Sequence, residues 1–443
     1  MATTLPTTTA TPPIDPAPLL ADAGLERDAD GVLRMGAVSL DAIARDVGTP
    51  AYLYHAAVIR DRFRSLDQAF GDLPHEIHFA VKSNASLAVL NLLKELGSGA
   101  DIVSGGELRR ALRVGIPPRK IVFSGVGKTE QELEAAVGAR IGSINIETAD
   151  ELTVLERIVG RRSVEFPVRL GIRVNPDVAA DTHPYITTGA SGIKFGVPVE
   201  QVVGLARRIA GNPRLSLVTI AMHLGSQLLE AGPFGRGAAR LLQLIDDVRA
   251  AGVRTIEAVD IGGGLGIRYR DETPLEPAAL AAVVRPLVAG RELMVHLEPG
   301  RYLTGSAGVL LTKVLYRKRS GGKDFVIVDA SMTDLVRPSH YQAHHEIVEV
   351  SARGRGPRVV DVVGPVCETG DFLALDRTMP DVESGEYLAI LCAGAYGAVM
   401  SSNYNSRPRA PEVIVDHGRY AVARARETVE DLYRGETADP FRT

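Results

Sequence analysis

The chain holds only two cysteines among its 443 residues, Cys367 and Cys392, too few for a disulfide framework. Such sparing use points to a reducing compartment, so a cytoplasmic location is expected, with at least one thiol free for chemistry. Charge of one sign is also lacking. Lys and Arg number 50 against 54 Asp and Glu, interspersed, for a formal net charge of -4. That leaves no electrostatic footprint for nucleic acid. No apolar run reaches the roughly 18 residues that span a bilayer, so no membrane partner is expected. Residues Met1 to Pro18 are rich in Thr, Pro and Ala. They have neither a basic start nor an apolar core, which reads as a disordered tail rather than a secretory signal.

What is present is an alternation. Short apolar segments closed by a polar residue or Gly exchange with helical patterns. The strand candidates are Ile77–Lys82, Asp101–Ser104, Ile121–Ser124, Ser143–Glu147, Val168–Asn175, Val218–His223, Ala258–Ile261 and Met294–Glu298. Amphipathic helices follow most of them, beginning with one over Ala85–Leu96. Alternation sustained over eight units predicts parallel strands closed into a (β/α)₈ TIM barrel over residues 56–301, with a doubly wound open sheet as the alternative. Beyond Arg301 the texture changes. Val309–Tyr316, Phe325–Asp329, Ile347–Val350, Val359–Val363 and Tyr387–Cys392 are short β-branched segments split by Gly, Pro and Asp turns. They predict a C-terminal all-β domain over 302–443, to which an N-terminal segment, 19–55, contributes strands such as the one at Ala51–Tyr54.

The expected strand ends carry Lys82, Ser104, Ser124, Glu147, Asn175, His223, Gly262 and Glu298. In a barrel those ends form the active site. Lys82, at the end of the first strand, is placed where desolvation favours a neutral, nucleophilic amine. Gly262-Gly263-Gly264 follows the seventh strand. Three consecutive glycines let backbone N–H groups converge on an anion, at the usual phosphate position of this fold. Glu298-Pro299-Gly300-Arg301 closes the eighth strand, and Glu298 there can hold a pyridine nitrogen protonated. His223 suits stacking on a planar ring, and Ser226 can reach a phosphate. An amine for an aldehyde, a phosphate cradle and a pyridinium partner on strands one, seven and eight are the requirements of pyridoxal phosphate.

The motifs Phe79-Ala80-Val81-Lys82-Ser83-Asn84, Ser104-Gly105-Gly106-Glu107-Leu108, Arg173-Val174-Asn175-Pro176-Asp177 and His223-Leu224-Gly225-Ser226-Gln227 extend this pattern. With the glycine turn and Glu298-Pro299-Gly300-Arg301, and then Leu335-Val336-Arg337-Pro338, Gly364-Pro365-Val366-Cys367-Glu368, Ala393-Gly394-Ala395-Tyr396 and Ser402–Arg409, they span most of the chain. By these motifs the chain resembles the pyridoxal-phosphate decarboxylases of the alanine-racemase-like barrel fold, most closely the diaminopimelate decarboxylases. The resemblance implies that Lys82 captures the cofactor's aldehyde and that Gly262, Gly263, Gly264, Ser226 and Tyr396 hold its phosphate. It implies His223 against the ring and Glu298 at the ring nitrogen, with Pro299, Gly300 and Arg301 completing the cofactor site. It implies a homodimer with shared sites, in which Cys367 and Glu368 come from the other subunit and Cys367 supplies a proton after CO₂ departs. Arg301, Arg337, Tyr341, Glu368 and Tyr396 are the positions matching the substrate site. Two arginines suit a distal carboxylate and Glu368 a distal ammonium, the two groups at the far end of meso-2,6-diaminopimelate. Ser83, and Ser339-His340 before Tyr341, depart from the family's usual residues. Another carboxylated diamine or a conjugated amino acid is the alternative substrate class.

Overall fold

In a computed structural model of the chain, residues 14–161, 166–176 and 194–441 are described. The expected tail falls largely on residues 1–13, and Asp177 of the Arg173 motif also lies outside the described residues.

The chain divides into two units. One comprises Ile59–Ile267 and Glu272–Leu303. Its strands are β1 (His75–Ala80), β2 (Gly99–Ile102), β3 (Ile121–Phe123), β4 (Ser143–Ile146), β5 (Val168–Arg173), β6 (Leu215–Ala221), β7 (Ala258–Asp260) and β8 (Met294–Leu297). They form a closed parallel barrel in chain order. Closure comes from β8 pairing with β1, where His296 stands opposite Glu76. β2 and β4 are buried at every position, as expected for parallel strands covered on both faces. The intervening helices bury one stripe each. Over Gly232–Ala250 that stripe includes Phe234, Leu241, Leu242, Ile245 and Val248, at the spacing of a helix face.

Strand β1 stops two residues short of its expected end. Lys82 lies in a 3₁₀ turn over Val81–Ser83, and the helix expected from Ala85 starts at Leu87. Two short-range hydrogen bonds account for this. The Ser83 hydroxyl donates to the Ala80 carbonyl (2.8 Å), and the Asn84 side chain accepts from the Ser86 N–H (3.0 Å). Ser and Asn side chains draw backbone out of regular structure in this way.

The second unit contains the remaining described residues, including the short excursion Arg268–Asp271. Besides a small three-stranded sheet of Leu25–Arg27, Leu33–Met35 and Val38–Ser39, its later strands are β9 (Gly308–Ser320), β10 (Lys323–Val328), β11 (Ile347–Glu349), β12 (Pro357–Val363), β13 (Phe372–Pro380), β14 (Tyr387–Ile390), β15 (Glu412–Asp416) and β16 (Arg419–Arg424). The early strand Ala51–His55 pairs with both β9 and β15, so it is interior to the sheet. The order runs β13, β12, β10, β9, the early strand, β15, β16, while β14 pairs with β9 and β11. β13, β15 and β16 are absent from the strands expected from sequence. Charged Asp376 and Arg377 interrupt β13 beside a register shift, and β16 is largely exposed, so neither shows an apolar run.

Candidate active site

At the C-terminal end of the barrel, the Lys82 ammonium donates to Asp101 Oδ2 at 2.7 Å. Asp101 is fully buried on β2, next to β1. Glu107, in the first turn of the helix after β2, accepts from the Val103 N–H at 2.7 Å. Burial, then the charge of Asp101, pushes its carboxyl up to about 7, while Lys82 pulls the other way. Neither acid was assigned a role from sequence. Asp101 was hidden because it stands at the start of its strand candidate, away from the strand ends, and Glu107 because it also serves as a first-turn acid.

Glu298 ends β8, the other neighbour of β1. It is buried, and the Ser124 hydroxyl reaches its Oε1 only at 3.5 Å. Burial first, then Asp101 and Asp260, push the Glu298 carboxyl well above its ordinary range, with Lys82 opposing. Asp260 shifts upward too, again chiefly through burial. His223, closing β6, is driven well below the usual imidazole value by burial, then by Lys82 and Arg173. The charge of Lys82 acts on both Glu298 and His223.

The glycine turn is required by its surroundings. A Cβ on Gly263 would sit 2.0 Å from the Glu298 carbonyl oxygen, and one on Gly262 would lie 2.4 Å from that of Met222. Gly264 has φ +114, a conformation that L side chains rarely adopt, and a Cβ there would stand 2.5 Å from the Gly225 carbonyl oxygen. The Gly263 N–H donates to His223 Nδ1 (3.3 Å), and the Asp260 side chain accepts from the Gly262 N–H (2.8 Å). With Nδ1 accepting, neutral His223 carries its proton on Nε2. Beside the turn, buried Arg301 donates through Nη2 to Ser226 Oγ (2.9 Å). With the Gly262 and Gly263 N–H groups engaged by Asp260 and His223, the Arg301 guanidinium and the Ser226 hydroxyl are the donors beside the turn that suit a phosphate. A buried acid whose hold on a proton is strengthened by burial fits a pyridine nitrogen. The residues fit pyridoxal phosphate.

Along the rim, Glu147 accepts from Arg173 (3.0 Å) and from the Gly125 (2.8 Å) and Gly196 (2.9 Å) N–H groups. Ser104 caps its helix by accepting from Glu107 N. These two strand-end residues are tied into local structure. Pro299 accepts from the Ala80 N–H through its carbonyl, and Gly300 packs where a Cβ would meet Ser83 at 2.9 Å.

In the sheet unit, Arg337 is buried, and Nε donates to His345 Nε2 (3.2 Å). Its guanidinium lies over the rings of Tyr269 (5.2 Å) and Tyr341 (5.8 Å). Cys367 and Glu368 are exposed on a separate loop. That loop is pinned by Asp371, which accepts from Val366 N and Met332 N, each at 2.7 Å, and by Asn405, which accepts from Cys367 N at 2.9 Å. Tyr396 is half-buried with φ +56. Arg337 and Tyr341 are thus brought together, while Cys367 and Glu368 stand on their own loop of this unit.

The family described as pyridoxal-dependent decarboxylase, pyridoxal binding domain, matches residues 56–305. Diaminopimelate decarboxylase of Pseudomonas aeruginosa is 46% identical over 411 residues, 93% of this chain and 98% of that one. The chain belongs to the diaminopimelate decarboxylase family. The Aquifex aeolicus member is likewise 46% identical, over 90% of this chain and 94% of its own. A crystal structure of the Helicobacter pylori diaminopimelate decarboxylase complexed with L-lysine superimposes with a TM-score of 0.85 at 38% identity, covering 89% of this chain and 98% of that one. The family's cofactor is pyridoxal phosphate, and its fold is the barrel and sheet pair found here. Among the described residues, no helix is long and apolar enough to cross a membrane.

Proposed function

We propose that this chain decarboxylates meso-2,6-diaminopimelate to L-lysine and CO₂, the last step of lysine formation, as a cytoplasmic homodimer with shared active sites. The observation that carries the reading is the glycine turn, with His223 bonded to its Gly263 N–H and buried Glu298 packed against it, while Lys82 is paired with Asp101 on the strand next to its own. Lys82 holds the cofactor through its amine. Gly262 to Gly264, Ser226 and Arg301, with Tyr396, hold its phosphate, His223 covers the ring and Glu298 faces the ring nitrogen. Bound pyridoxal phosphate supplies an electron sink for the pair left when CO₂ leaves.

The chain's own residues do the rest. Asp101 keeps the Lys82 ammonium oriented and charge-balanced at 2.7 Å. Glu298, already disposed to hold a proton, keeps it at the ring position. Cys367 Sγ, from the partner subunit, donates the proton at the carbon that has lost CO₂. Arg337, fixed by His345 and two tyrosine rings, binds the distal carboxylate with Tyr341. Glu368 takes the distal ammonium.

A second reading, in which the preferred substrate is another carboxylated diamine or a conjugated amino acid, rests on the departure at His340, whose ring meets Tyr341 with centroids 4.5 Å apart. A panel of such amines, with CO₂ release as readout, decides between them. Faster turnover of any amine other than diaminopimelate would replace the first reading with the second.

A further inference from the structure

At the opposite, N-terminal end of the barrel, three potential metal ligands converge where the barrel closes. Glu76 and His78 alternate on β1 and so point to the same side, while His296 on β8 is the cross-strand partner of Glu76. Their ligand atoms all lie within 4.8 Å of one another. His78 Nε2 is 3.2 Å from Glu76 Oε2, and His296 Nε2 is 4.0 Å from the same oxygen. The two imidazoles meet edge to face with centroids 4.7 Å apart.

The spacing matches a small ion. Two donors, each about 2.0–2.1 Å from a tetrahedral Zn²⁺, stand roughly 3.3 Å apart. The Glu76–His78 separation is already of that size, and His296 Nε2 has less than 1 Å to close on Glu76 Oε2. The polar atoms here are also poorly satisfied. His78 is 1% exposed, and Nδ1 of both histidines is buried with no hydrogen-bond partner among the described residues. His296 has no hydrogen bond at either ring nitrogen among those residues. The three side chains line a cavity of about 590 Å³ together with Ser143, whose buried hydroxyl is unpartnered as well. Arg169, on the same wall, forms an ion pair with Glu257.

We infer that Glu76, His78 and His296 form a Zn²⁺ site with one coordination position open to this cavity, clipping the first barrel strand to the last. Two imidazoles and one carboxylate are a donor set that suits Zn²⁺ or Co²⁺ over Mg²⁺ or Ca²⁺. Water in the cavity completes the tetrahedron. The ion binds only the closed barrel, so it stabilises the folded chain by mass action and takes no part in the chemistry at the other end.

The test uses the holoprotein, stripped of metal by a chelator and desalted. Titration with Co²⁺, followed by the d–d absorption of tetrahedral cobalt, is expected to saturate at one ion per chain. Zn²⁺ is expected to displace the cobalt and raise Tm by a few degrees. His296→Ala is expected to weaken cobalt binding at least tenfold, and Glu76→Gln, a milder change, gives the same direction should the histidine variant fold poorly. His344→Ala, which alters the His344–Glu346 pair of the sheet unit, is expected to leave binding intact. Failure to bind one equivalent, binding undiminished by both His296→Ala and Glu76→Gln, or binding lost in His344→Ala would overturn the assignment.

Discussion

Lys82 and Asp101 face each other at 2.7 Å across neighbouring strands, the amine partly open to the barrel mouth and the carboxylate fully enclosed. Replacing Asp101 by Asn keeps the shape and deletes the charge. The amine then loses the anion that orients it, and Asp101→Asn is expected to lower kcat by about 10–100-fold, in the range of a single positioned polar group. The KM for diaminopimelate should move little. Lys82→Ala is expected to abolish both turnover and the visible absorbance of tightly held cofactor. Retention of that absorbance after dialysis of Lys82→Ala would remove Lys82 from its role.

Gly263→Ala places a methyl 2.0 Å from the Glu298 carbonyl oxygen, a backbone atom that cannot swing aside. The turn must deform, and overpacking of this kind costs roughly 1–3 kcal/mol or more. Cofactor affinity is expected to fall more than tenfold, measured by fluorescence titration of the cofactor-free chain. Unchanged affinity would show that phosphate is bound elsewhere.

The raised Glu298 pKa makes the stability of the cofactor-free protein depend on pH with a definite sign. A carboxyl that holds its proton more tightly when folded leaves the folded state better protonated than the unfolded one. Its stabilising contribution is complete below the ordinary value of 4.5 and is lost as pH rises toward the folded value. Asp260 shifts in the same direction. Glu298→Gln removes the group, so the variant should gain on the wild type as pH increases from 5 to 8, in urea denaturation of the cofactor-free forms. In the holoenzyme the same variant is expected to lose on the order of 100-fold in kcat. A stability difference that is flat across that range would contradict the buried, protonated acid.

Cys367→Ala is expected to keep the cofactor's absorbance and lose about 100-fold or more of turnover, the scale of a positioned proton donor. Mixing it with Lys82→Ala protein tests the shared site. If the two residues come from different subunits, mixed dimers contain one intact site, and exchange should restore about a quarter of wild-type activity. No restoration after verified subunit exchange would place both residues within one chain's site.

Arg337→Lys retains the charge but not the planar fork that sits over Tyr269 and Tyr341 and donates to His345. The expected result is about a tenfold rise in KM for diaminopimelate with a smaller change in kcat. An unaltered KM would detach Arg337 from the distal carboxylate.

The barrel and the polar ends of its strands were legible because alternation of short apolar runs with amphipathic helices is a strong, repeated signal. The reach of Lys82 beyond its strand was not legible. It depends on Ser83 bonding back to Ala80, a contact that the residue pattern does not advertise. Asp101, Glu107 and Asp260 escaped notice for a related reason. An acid becomes informative only once its burial and its neighbours are known. β13 and β16 were hidden because sheet pairing, rather than apolar content, holds them in place. The Glu76, His78 and His296 cluster is invisible along the chain, since it exists only where the last barrel strand meets the first.

That meeting of first and last strands also governs when the protein acquires chemistry. Lys82 and Glu298 stand 216 positions apart (298 − 82), yet they follow strands that touch only when the ring of eight is complete. A nascent or half-assembled barrel possesses the amine without the acid. Tight capture of the cofactor therefore reports that the circle has been joined, and a truncated or misregistered chain has no means of imitating it.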